Sequence, residues 1–223
     1  MDLLDFAITP LRDYLPESVY REVCARARRL AFSDRQTIHA RGDERTRLCI
    51  VADGAVRIGR FQPGGAFNLV SMVGTGGHFG DVALQRSAHT HDAYAIGDCE
   101  IDFIEASALD DLLHLQPSLA VGLWRSNTAR FNAMLELYDD ARTLGIPARL
   151  AKVIYLHTGR GKLADGVACL QRDLAALLGV SQVSIGNALK ELETAKLVKT
   201  GYRSVYVPDK VRLKNWLRKT GAA

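Results

Sequence analysis

Between residues 169 and 207 the chain carries a pattern that few folds accommodate: two short helical segments about a tight turn, then an alternating hairpin. Gln171-Arg172-Asp173-Leu174-Ala175-Ala176-Leu177-Leu178 is predicted as the first helix, ended by Gly179, which tolerates a positive φ. Ser181 is placed to cap a second helix, Gln182 to Thr194, in which Ile185, Leu189 and Leu192 form one buried stripe at i, i+4 and i+7. Its other face carries Gln182, Ser184, Asn187 and Lys190, amide, hydroxyl and ammonium groups suited to base edges and phosphates in a major groove. Lys196–Thr200 and Arg203–Val207 alternate around Gly201-Tyr202 as a wing. An amphipathic helical hairpin with a solvated basic face would share the helices. The wing, and the charge, favour a DNA-reading module.

Charge divides the chain in the same place. From Pro147 onward there are 14 Lys and Arg against five Asp and Glu, a formal +9, whereas residues 1–146 hold 15 against 20, a formal −5. All eight lysines lie at Lys152 or beyond. A cationic module confined to one third of the chain is the electrostatic footprint of a phosphate-binding surface.

Upstream the texture differs. Residues 1–30 are predicted helical, with Leu11, Leu15, Val19, Val23 and Ala27 at four-residue spacing and Pro16 near a helix start. From about Ala31 to Glu105, short apolar runs (48–51, 55–58, 67–73, 93–96 and 100–104) alternate with glycine-rich turns, the signature of a compact β-barrel or roll. From Ala108 to Leu144 the pattern is helical again, with Pro117 in a first turn. There Trp124, Thr128, Phe131, Leu135, Tyr138 and Arg142 alternate by four and three, the seam of a helix that pairs with another helix, either of a second copy or of its own domain. Gly145-Ile146-Pro147 makes a hinge before a helix at 148–157. The expected organisation is an α+β chain: a jelly-roll-like β-roll sensor with its N-terminal helix (1–107), a dimerisation helix region (108–145) and a winged helix-turn-helix (146–223).

At 223 residues and 48% hydrophobic, the chain can bury a substantial core without staples. No apolar run approaches a membrane span, and the start Met1-Asp2-Leu3-Leu4-Asp5 lacks the order of a secretory signal, so a cytoplasmic location and no membrane partner are expected. Cys24, Cys49, Cys99 and Cys169 are scattered and read as buried free thiols rather than a zinc or iron–sulfur set. The histidines His39, His78, His89, His91, His114 and His157 are expected to be surface or pocket-polar groups, with His89 and His91 on one strand face; no metal site is assigned. No Gly-x-Ser-x-Gly, phosphate-loop or His-Glu-x-x-His pattern is present, so an enzyme is not expected.

The order of β-roll, long helix, hinge and winged helix resembles the CRP/FNR superfamily of bacterial transcription regulators over essentially the whole chain. Residues 48–56 resemble the family's strand–turn–strand, Gly77-His78-Phe79-Gly80-Asp81 its Gly-x-x-Gly-Glu segment, and Leu174-Ala175-x-x-Leu178-Gly179-Val180-Ser181-x-x-Ser184-Ile185 its helix-turn-helix. The resemblance implies an effector pocket at Gly80, Asp81, His91, Asp92, Met134 and Leu135. In cyclic-nucleotide members an acidic residue binds the ribose and an Arg-Ser pair the phosphate; here Asp81 fills the first position, but His91-Asp92 falls on the second. A carboxylate repels phosphate, and neutral imidazole lacks the charged guanidinium fork. Met134-Leu135 replace two hydroxyl residues that meet the base, so control by cAMP is not expected.

The resemblance further implies base contacts from Gln182, Val183, Ser184 and Asn187 and phosphate contacts from Gln171, Arg172, Ser181, Lys190, Lys199 and Arg203. Amides suit adenine and Val183 a thymine methyl. The expected function is a homodimeric regulator on a roughly palindromic operator in double-stranded DNA. RNA polymerase is a partner if it activates, no cofactor is assigned, and an unidentified small-molecule effector is left open. The alternatives are a sensor of a non-cAMP ligand, haem or metal that signals through a protein partner, and a constitutive DNA binder with a vestigial pocket.

Overall fold

A computed structural model describes residues 9–65, 67–85, 87–158, 165–168 and 170–222. The chain forms two compact units, one up to Ala133 and one from Met134, so the boundary falls inside a helix. Met1–Asp5 and Cys169, which entered the expectations above, lie outside the described residues.

In the first unit a 3-10 turn (Leu11–Tyr14) precedes α1 (Glu17–Ala25), with Pro16 at its N-cap. Over residues 9–30 the predicted helix is therefore broken and shorter. Strand β1 (Arg28–Phe32) already belongs to the sheet, followed by β2 (Thr37–His39), β3 (Arg47–Phe61), β4 (Phe67–Gly74), β5 (His78–Phe79) and β6 (Asp92–Glu105). The sheet runs β1-β6-β3-β4, with β2 on β6 and β5 on β3, all antiparallel.

Two cores share this sheet. Alternate side chains point to opposite faces, so Cys49 and Val51 join Val56, Phe79, Ile101 and Phe103 inside the roll. Leu48, Ile50 and Ile104 face the other way, onto Leu11, Val19, Val23, Leu109, Leu112, Leu119 and Leu123. Burial on both faces is why residues 48–51 read as an unbroken apolar run. The helical core is completed by α2 (Ala106–Leu115) and by Leu119, Gly122, Leu123 and Ser126 of α3 (Pro117–Thr143). A Cβ at Gly122 would lie 2.3 Å from Leu15 Cδ2, so only glycine lets the N-terminal segment come this close.

The second unit continues with α4 (Ile146–His157), whose N-cap is Gly145 and whose second residue is Pro147, then β7 (Gly166–Ala168), α5 (Gln171–Leu178), α6 (Gln182–Thr194), β8 (Lys199–Gly201), β9 (Ser204–Tyr206) and α7 (Lys210–Lys219). Helices α5 and α6 have the predicted bounds. The wing is a three-stranded sheet, β7-β9-β8, not a lone hairpin. Its third strand and α7 had no counterpart in the sequence reading.

Among the described residues no helix is long and apolar enough to cross a membrane, and no group of three or more His, Cys, Asp or Glu is placed to hold a metal. Cys49 and Cys99 are buried free thiols, and Cys24 is half-buried.

Candidate nucleic-acid interface and effector region

Residue identity fixes the geometry of the helix pair at its two ends. Gly179 takes φ 65°, ψ 36° at the C-cap of α5, where its amide bonds Ala175 O, and the Val180 amide bonds the same carbonyl at 3.0 Å. Two residues later Ser181 Oγ accepts the Ser184 amide at 3.1 Å and starts α6. Arg149 Nη2 donates to Leu178 O at 2.6 Å, so a basic side chain of α4 satisfies the end of α5. Ile185, Leu189 and Leu192 are buried, pinning α6 by one stripe.

The opposite face is open. Gln182, Asn187 and Lys190 are exposed, and Val183 is 73% exposed, a large apolar side chain with no burial to gain from its own fold. Ser184 is half-buried, and its hydroxyl lies 2.9 Å from Ser181 Oγ, so it is shared with the cap. Gln171, Arg172, Ser181, Lys199 and Arg203 are exposed around the α6 face.

The wing is fastened to this helix. Glu193 Oε1 accepts from both the amide and the hydroxyl of Thr200, each at 2.6 Å. These two bonds hold the Glu193 carboxyl below the usual glutamate range, the hydroxyl contributing most. Arg212 Nη2 donates to Ala195 O at 3.0 Å beyond the C-terminus of α6. Neither contact is legible in the sequence: Glu193 lies in the last turn of a helix and Thr200 on a strand beyond it, so no single period joins them.

In the first unit Asp81 sits in a knot of three other polar side chains. Arg130 of α3 donates to His78 O at 2.9 Å, to Asp81 Oδ2 at 3.0 Å and to Asn127 Oδ1 at 2.6 Å, and its Nη2 also meets His78 Nε2. His78 Nε2 lies 3.2 Å from Asp81 Oδ1, so one ring nitrogen faces a donor and an acceptor at once. Burial drives the fully buried His78 toward its neutral form, with Arg130 adding to the effect and Asp81 opposing it. Burial also works against ionising Asp81, but the bond to His78, the Arg130 charge and Asn127 outweigh it and hold the carboxyl below its ordinary range. Arg130, Asn127 and the inward turn of His78 were missed in the sequence. A basic residue one turn before Met134 was the available signal.

The other residues expected at this pocket have separate contacts. His91 Nδ1 lies 2.9 Å from Thr90 Oγ1, and Asp92 Oδ1 accepts the Arg41 amide at 2.8 Å. Met134 and Leu135 are exposed on α3. His39, His89 and His157 are buried rather than at the surface, and His78 is buried as a polar group beside Asp81. His89 and His91 also precede β6 rather than sharing a strand face; His89 stacks on His39 with ring centroids 3.6 Å apart.

Beyond its buried side, α3 presents Trp124 (74% exposed), Thr128, Phe131 (54%), Leu135 and Tyr138 (61%) along one exposed stripe.

Comparison with known proteins matches residues 29–115 to the cyclic nucleotide-binding domain family and residues 148–216 to the Crp-like helix-turn-helix domain family. The transcriptional regulator LdrP of Thermus thermophilus is 26% identical over 208 residues, 86% of this chain and 96% of that protein. A CRP-like cAMP-activated global transcriptional regulator of Mycobacterium tuberculosis is 26% identical over 184 residues, 79% and 82% of the two chains. Among solved structures, a CRP-family transcriptional regulator of Thermus thermophilus is similar with a TM-score of 0.66 at 25% identity, over 87% of this chain and 100% of that one. A CooA mutant from Carboxydothermus hydrogenoformans shares the fold at 14% identity, with a TM-score of 0.75 over 88% and 90%.

Proposed function

The chain belongs to the CRP/FNR superfamily of transcription regulators, which are not enzymes, and from that premise we propose that it acts as a homodimer that reads a two-fold-related pair of DNA half-sites without cAMP. The observation that carries the proposal is the open α6 face: Gln182, Val183 and Asn187 stand exposed on a helix anchored at its cap, its stripe and its wing. Amide groups there suit adenine N6 and N7, and Val183 suits a thymine methyl. Gln171, Arg172, Ser181, Lys190, Lys199 and Arg203 supply phosphate contacts, and Ser184 divides its hydroxyl between cap and groove.

The exposed stripe of α3 supports pairing of two copies, since an apolar seam of this kind is stable in water when a second helix covers it. Two subunits then place their α6 helices in successive major grooves, about 34–36 Å apart.

Independence from cAMP rests on chemistry at the pocket. Asp81 is already neutralised by Arg130, and the positions expected to clamp a phosphate carry a carboxylate and an imidazole held toward neutrality, by burial first and by Arg60 and Arg41. The same internal pairing favours a second reading, in which DNA is bound with no effector at all.

Selection of duplexes from a random library by the full-length protein tests the proposal. The expected product is an inverted repeat with half-site centres one turn apart, recovered equally with and without cAMP. Recovery of a single asymmetric site, or recovery only when cAMP is present, contradicts it.

A further inference from the structure

From the shape of the wing, and resting on the DNA-reading function just proposed, we infer that its tip, Tyr202 and Arg203, senses the width of the minor groove bordering the α6 site. The tip gives the protein's own fold little. Tyr202 is 91% exposed, the largest value among the exposed apolar and aromatic side chains described, while Val205, Val207, Leu197 and Val198 bury the base of the hairpin without it. Arg203 holds φ 52°. Two-residue hairpin turns favour Asn or Gly at such a position, so neither packing nor turn chemistry selects an arginine there.

The tip is also held still. Strand β9 is paired on both sides, by β7 and β8, and Thr200 is clamped to α6 through Glu193. Only Gly201 lies between that clamp and the turn, so Tyr202 follows the clamp by two strand rises, roughly 7 Å. With α6 in a major groove, the hairpin projects over the sugar–phosphate ridge beside it, and Lys199, exposed on the first strand, meets the phosphates. Beyond the ridge the minor groove is about 6 Å wide, too narrow for a strand but wide enough for a guanidinium. A·T tracts narrow that groove and deepen its negative potential, which attracts arginine. The Tyr202 ring packs its apolar face along the deoxyribose wall and keeps its hydroxyl in water. The consequence is sequence preference at base pairs that α6 never touches.

The test uses the full-length protein on selected duplexes whose flanking pairs are A·T, G·C or inosine·C. Inosine·C keeps the major-groove edge of G·C but lacks the 2-amino group in the minor groove. The native protein is expected to bind A·T and inosine·C flanks roughly tenfold tighter than G·C flanks. The Y202A/R203N double variant, which keeps a residue tolerant of positive φ but gives up the phosphate contact of Arg203, is expected to bind every duplex more weakly and to lose that flank preference to within twofold. Flank-indifferent binding by the native protein, an unaltered preference in the double variant, or inosine·C behaving as G·C overturns the inference and leaves the proposed function standing. Failure to select any half-site contradicts the proposed function and this inference together.

Discussion

His39, at the end of β2, and His89 lie nearly parallel, 13° apart, where the loops at residues 40–46 and 87–91 are joined by Gly42 N to His89 O and His89 N to Asp43 O at 2.8 and 3.0 Å. Burial pushes His39 down from 6.5 to about 3, with His89 and Arg47 adding to the effect and Asp43 opposing it. Because the folded value lies below the unfolded one, the unfolded chain binds the extra proton once the pH drops under about 6.5. Stability is whole above that point and falls by up to about 1.4 kcal/mol per pH unit toward pH 3. The His39→Phe variant is expected to show a shallower dependence of the β-roll's calorimetric transition between pH 6 and 4; an unchanged slope refutes the assignment. On α6, Asn187→Ala is expected to relax base choice, whereas Lys190→Ala weakens all sequences alike and lowers the salt slope by about one. Equal loss on every sequence from the Asn187 change contradicts its role. Asp81 was legible as a candidate because a glycine and a recognisable run precede it. Its partner Arg130 was not, since an ion pair across 49 residues leaves no local pattern.

The helices α5 and α6 were legible to the residue because their ends are written in side-chain chemistry, a glycine at the left-handed C-cap and a serine at the N-cap. Gly179→Ala is expected to cost about 1 kcal/mol, seen as a lower melting midpoint of the second unit. No loss would mean that the turn rearranges. Strands were read less well. Gly54 and Gly97 look like turns, and each has positive φ, but they bend the long strands β3 and β6 rather than end them. At Gly54 a Cβ would stand 2.6 Å from that of Cys99, so the glycine serves close strand approach. Strand β1 reads as the end of a helix in sequence because what fixes it is remote: pairing with β6 and the two-pronged bond of Arg29 to Asp102 at 2.8 and 2.9 Å. The wing's attachment is closer in sequence, seven residues, but joins the last turn of α6 to β8 and so follows neither element's period. Glu193→Ala is expected to cost about 0.5–1 kcal/mol, given its exposure, and to speed hydrogen exchange at the Thr200 amide. Since the Glu193 carboxyl titrates below its unfolded value, the clamp holds above the ordinary glutamate range and is lost only as pH falls through the lowered one. Unaltered exchange in the variant contradicts the clamp.

For the molecule, the charge division foretold the cationic module but not how its cations are spent. Arg149 and Arg212 satisfy helix-end carbonyls, Lys210 bonds Thr158 O, and Lys152 pairs with Asp140 at 2.7 Å. Those side chains are committed to the fold, whereas Arg172, Lys190, Lys199 and Arg203, the cations proposed to meet DNA, stay exposed. The spacing of apolar residues on α3 could be read, whereas which of them stay uncovered depended on the rest of the fold. Trp124, Phe131 and Tyr138 remain exposed because Leu119, Gly122, Leu123 and Ser126 form the buried side. Sedimentation of the full-length protein with its selected duplex, for the native chain and for Trp124→Glu, tests the central claim most directly. Two chains per duplex are expected for the native protein, with the variant running as a single chain that has lost most of its affinity. One native chain per duplex, or a monomeric variant that binds as tightly as the dimer, would contradict it.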